Sequence, residues 1–141
     1  VTYATAQDMI DRFGAQELIE LTDRADPPLG AIDAQVLAGA LADADAAIDG
    51  YIAVRYDLPL IATPALLVKV ACDIARKHLY KDAPLDEVTA AYKDAIALLR
   101  DISRGVAELD IAGAEPAADT TGAPAIAGPA AVFNKDSMGG F

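Results

Sequence analysis

The sequence has no tryptophan, a single cysteine and a single histidine, and nowhere an apolar run approaching the length of a bilayer. Each scarcity excludes something. With Cys72 alone, an internal disulfide is impossible and a cysteine-based metal site is not expected. A lone thiol fits a protein made in a reducing cytoplasm. No membrane-spanning helix is expected. The opening residues do not read as a signal or transit peptide, and Val1 reads as the residue after a removed initiator Met or a trimmed start. Phosphate loops, Gly-x-Gly-x-x-Gly, Gly-x-Ser-x-Gly and His-Glu-x-x-His are all missing.

Positive charge is also scarce. Eleven Lys and Arg face 22 Asp and Glu, a net of −11. Residues 113–141 hold three acids and one Lys, so −9 of that total sits on residues 1–112. Phosphate binding needs clustered Lys and Arg, so this body is not expected to hold nucleic acid. Its acidity keeps the fold soluble or, where DNA passes nearby, keeps the DNA from sticking.

What is abundant is alanine, 32 of 141 residues, within a composition that is 54% hydrophobic. Alanine favours helix and buries little area, which predicts a mostly α chain with a lean core of closely packed helices. The length suits one domain plus a tail. No period of 20–50 residues repeats, which excludes a solenoid.

Thr5 with Asp8 three residues later reads as a capping box opening a helix over Ala6 to Phe13, ended by Gly14. Helical spacing resumes from Gln16 to Leu21, and the breakers from Thr22 to Gly30 make a loop. Asp33 caps a longer helix from Ala34 to about Arg55, striped by Leu37, Leu41, Ala44, Ile48 and Ile52. An apolar loop, Tyr56 to Ala62, surrounds Pro59. Thr63 as cap with Pro64 at the first helical position opens the next helix, which runs to about Tyr80 and reads as the most buried of the set. Asp86 caps the last helix, and Gly105 stops it. Val106 to Ile111 reads as a short extended arm. The sequence thus predicts a small helical bundle of four to five helices over residues 1–112, followed by a flexible C-terminal arm over residues 113–141. The arm holds eight Ala, five Gly and three Pro, too little apolar area to fold alone. Its end carries Phe133, Met138 and Phe141, spaced apolar anchors expected to order on a partner.

Few residues tempt a chemical reading. Cys72 and His78 are six positions apart on one predicted helix, which leaves their side chains roughly 120° apart, too far for a nucleophile and its base. Cys72 is expected in the core and His78 on a helix face. Asp45 and Asp49 share a face with Asp43 nearby, but without a histidine or calcium-loop spacing they predict a solvated acidic face or a subunit contact. Asp136-Ser137-Met138 faintly resembles the phosphopantetheine serine motif of acyl carrier proteins, but it lies in a Gly-rich tail and not at the start of an internal helix. No enzymatic activity, cofactor or metal is expected.

An ordered series of short motifs carries a family resemblance: Asp8-Met9-Ile10-Asp11-Arg12-Phe13-Gly14, then Glu17-Leu18-Ile19-Glu20-Leu21-Thr22-Asp23, then Ile48-Asp49-Gly50-Tyr51-Ile52, Arg55-Tyr56-Asp57-Leu58-Pro59-Leu60, Ala71-Cys72-Asp73-Ile74-Ala75-Arg76 and Tyr92-Lys93-Asp94-Ala95-Ile96. Over residues 2 to about 112 the chain resembles the head–tail connector (head-completion) family of Mu-like tailed phages. The arm departs from that pattern. The resemblance implies a virion neck protein, made in the host cytoplasm, that forms a ring of identical subunits on the portal protein, about twelve to match it. It implies a tail-side neck or tail terminator protein as the next partner, and double-stranded DNA passing through without specific binding. It implies no catalytic residue and no membrane. A neck stopper, or a cytoplasmic helical binding module outside the virion, are the competing expectations.

Overall fold

The structure, a computed structural model, describes residues 2–109. They form five helices in chain order: α1 (Ala6–Phe13), α2 (Ala15–Thr22), α3 (Ala34–Ile52), α4 (Ala65–Leu79) and α5 (Asp86–Ser103). No strand occurs among the described residues, so the expected small, mostly α bundle is what forms. The arm over residues 113–141, with Phe133, Met138 and Phe141, lies outside the described residues.

Local sequence accounts for most helix ends. The Thr5 hydroxyl accepts from the Asp8 amide while the Asp8 carboxylate accepts from the Thr5 amide, a complete capping box. Gly14 takes φ of +90°, a value disfavoured for side chains with a Cβ, and turns the chain directly from α1 into α2. Asp33 caps α3 by accepting from the amides of Gln35 and Val36.

Three expected boundaries shift. Pro64, not Thr63, occupies the cap position of α4, and its missing N–H removes one of the orphan donors there. Leu85, not Asp86, caps α5; Asp86 is its first helical residue, and its charge with that of Glu87 still complements the helix dipole. Finally, α3 ends at Ile52, three residues early. The arm expected from Val106 begins with bends, and Leu109 turns back to bury itself, its amide donating to the Tyr56 hydroxyl at 2.9 Å.

The long helices α3, α4 and α5 pack on one another and make the body. Eight of the fifteen α4 residues are buried, against six of nineteen in α3 and four of eighteen in α5, so α4 is the central helix as its sequence suggests. Small residues sit where helices meet: Ala40 and Ala44 on α3, Ala71 and Ala75 on α4, Ala95 on α5. The gaps they leave are filled by Leu37, Ile48, Ile52, Leu67, Ile74, Leu99 and Ile102, all fully buried. At eight residues each, α1 and α2 are too short to stand alone in water. They rest on α3 and α4 through Met9 and Leu18.

Candidate functional site

Buried chemistry is absent where the sequence offered its few reactive groups. Cys72 is fully buried in α4, and desolvation pushes its thiol up to about 11, so it stays protonated and inert at neutral pH. His78 is exposed and lies edge-on to Tyr92 at 6.2 Å between ring centroids. Among the described residues, no three His, Cys, Asp or Glu side chains gather as metal ligands. No helix among them is long and apolar enough to cross a membrane.

The acidic face of α3 is partly inward-looking. Asp45 and Asp49 are half-buried and accept from Tyr3: its amide donates to Asp45 at 2.9 Å, and its hydroxyl donates a short bond to Asp49. Burial raises the Asp45 carboxyl above the ordinary carboxylate value, against the lowering effect of the Tyr3 amide. Burial, followed by the bond to Asp49, also raises the Tyr3 phenol. These carboxylates are a clamp for the N-terminal segment. Only Asp43 of the three stays fully exposed, on a polar hollow shared with Arg24 and His78.

A second clamp joins α2 to α4. The Arg76 guanidinium forks onto Glu17 at 2.7 and 2.9 Å and stacks over the Phe13 ring at 4.4 Å. The bond to Glu17 raises the Arg76 pKa further. Thr22, fully buried, donates to the Leu18 carbonyl and accepts from the Asp33 amide, tying both ends of the loop between α2 and α3. None of these pairings had a sequence signal, because the partners are far apart in the chain or the donor is backbone.

Two surface features remain. The first is one end of the bundle, where the α3–α4 connection, the start of α4 and the segment after α5 come together. Tyr56 holds Leu109 there, and the Arg55 side chain fills the space beside Gly105, whose φ is +79°. Among the described residues, five of the seven large exposed apolar side chains belong to these segments: Val54, Leu58, Ile61, Leu66 and Val106. Ile61 and Val106 are more than 70% exposed, a degree that a core role does not explain. Residues 53–66 and 103–109 carry two cations and two anions, no net charge. The apolar loop around Pro59 was the one sequence sign of this face; the contribution of Val106 was not foreseeable.

The second feature is a groove of about 540 Å³ between α3 and the N-terminal segment with α1. Its walls are mainly Ile10, Ile32, Leu37, Ala38 and Leu41, with Asp45 at the edge. Neither feature has the buried, convergent polar groups of a catalytic centre.

The sequence pattern of the family described as Bacteriophage Mu, Gp36 matches residues 3–127. The "Gene product J" of Escherichia phage Mu is 38% identical over 105 residues, 74% of this chain and 74% of that protein. The "Mu-like prophage FluMu protein gp36" of Haemophilus influenzae is 28% identical over 141 residues, all of this chain and 99% of that protein. With the match spanning every helix of the bundle, the chain belongs to the Bacteriophage Mu Gp36 family, a family of proteins of Mu and Mu-like prophages.

Proposed function

We propose that this chain is a virion structural protein, a head–tail connector that forms a ring of identical copies on the portal and links the DNA-filled head to the tail. The observation that carries the reading is the uneven surface of the bundle. Residues 1–52 hold ten acids against Arg12 and Arg24, a net of −8, whereas residues 53–109 hold eight of each sign. The neutral end, with Val54, Ile61 and Val106 exposed, is suited to protein contact. The acidic α1–α3 side is suited to a channel wall along which DNA slides without capture, since like charge repels and offers no counterion release.

In a ring each copy uses one patch to meet a different patch of its neighbour, and closure depends on the rotation between them. The C-terminal arm, with Phe133, Met138 and Phe141, adds a second contact to the portal, and many weak arms acting together give avidity. In this reading the protein is no enzyme and needs no cofactor. Its next partner on the tail side is another neck or tail terminator protein.

The test is cryo-EM of the neck of intact particles with symmetry left free. A ring of this chain between portal and tail is expected. Its absence from purified particles would overturn the virion role; a position below another ring would make it a neck stopper instead.

A further inference from the structure

We propose that in the isolated protein the C-terminal residues 132–141 dock back into the groove between α1 and α3 of the same chain. The inference concerns the free chain and stands apart from the connector reading.

The first argument is where the chain keeps its largest apolar groups. Of its three Phe, Phe13 lies on α1 under Arg76, and the other two, Phe133 and Phe141, fall within the last nine residues together with Met138, one of two Met. The buried core of the described residues contains no Phe at all. The chain therefore concentrates large apolar groups at its end, and the bundle offers an apolar seat of matching chemistry. The groove is apolar along Ile10, Ile32, Leu37 and Leu41. At about 540 Å³ it lies within the ~300–1,000 Å³ of sites that take up organic side groups.

The second argument is reach. Leu109, the last described residue, is held by Tyr56 beyond the C-terminal end of α3, and the groove is centred near Leu41 on the same helix. At 1.5 Å per residue the separation along α3 is roughly 20 Å. Residues 110–131 are rich in Ala, Gly and Pro, and a Gly-rich chain of that length has a root-mean-square span of roughly 25 Å. Effective concentration is highest when the span of a linker matches the distance between its ends.

The third is charge. Lys135, the only cation of residues 113–141, stands two positions after Phe133, and Asp45 stands at the edge of the groove. Docking Phe133 brings an ammonium to a half-buried carboxylate on the acidic side of the bundle.

The experiment uses the full chain. Asn134→Cys is labelled with a nitroxide, Cys72 being buried and protonated, and methyl signals are read by NMR. The expected result is at least several-fold broadening of the Ile10, Ile32, Leu37 and Leu41 methyls, with Val88 and Leu99 unaffected. Ala38→Glu, at an exposed position of the groove wall, is expected to abolish the broadening while leaving the remaining spectrum folded. Unbroadened groove methyls, or broadening that survives Ala38→Glu, would overturn the proposal. So would broadening seen when label and isotope are on different chains, which would assign the contact to a second copy.

Discussion

Residues 1–52 and residues 53–109 share one hydrophobic core but not one surface. The first carries a net charge of −8 and the second none. Burial cannot explain the difference, because both halves contribute fully buried Leu and Ile to the same core. The charge therefore belongs to what the outside of the bundle does. Where the halves meet, the acidic side uses its excess: Glu17 reaches Arg76 across α2 and α4. Within the acidic half, Asp45 and Asp49 accept from Tyr3 donors instead.

If the two halves are one cooperative unit, Leu99→Ala, a fully buried truncation in α5, should cost about 2–5 kcal/mol. Circular dichroism and tyrosine fluorescence should then report one coincident thermal transition. Separate transitions would mean that the acidic half folds by itself.

The junction comes next in size. Arg76→Ala leaves Glu17 without its charged partner and is expected to cost about 1.5–3 kcal/mol. A double-mutant cycle with Glu17→Ala measured by urea unfolding should return a clear coupling energy. Additive effects would reduce this pair to an incidental surface contact.

Two carboxylates of the acidic half should respond to pH in opposite directions. Burial raises Asp45, so its favourable contribution is present below the ordinary carboxylate value and is lost as pH rises through the raised one. Asp45→Asn should therefore gain stability relative to the native chain between pH 3 and pH 7. Asp23, exposed, is lowered by the amides of Gly30 and Leu29. Its contribution is present above the ordinary value and is lost as pH falls through the lowered one. Asp23→Asn should lose stability over the same rise in pH. Parallel unfolding curves for the two variants would contradict these assignments.

The smallest effect on stability should come from the neutral end. Ile61→Ser, at an exposed loop position, is expected to change stability by no more than about 0.5 kcal/mol. Combined with Val106→Ser it should nevertheless reduce incorporation into particles, measured by mass spectrometry of purified virions. Unchanged incorporation would remove this end as the contact face.

Helix placement was readable because it depends on neighbours in sequence. The Thr5–Asp8 capping box, the Asp33 cap and the apolar stripe of α3 are all local, and each predicted helix is present. The caps of α4 and α5 each fall one residue from the expected position, at Pro64 and not Thr63 and at Leu85 and not Asp86. The net acidity was equally plain from composition. What the chain order could not contain was pairing across long separations: Tyr3 with Asp45 and Asp49, Glu17 with Arg76, and Tyr56 with Leu109.

The sequence by itself determined a helical, acidic chain, because helix propensity, periodicity and charge are sums over local residues. Only the tertiary structure decided which acids face inward, that Val54, Ile61 and Val106 share one end, and that α1 and α3 leave a groove between them. These depend on how helices pack, and packing is set by the joint fit of side chains distant in sequence.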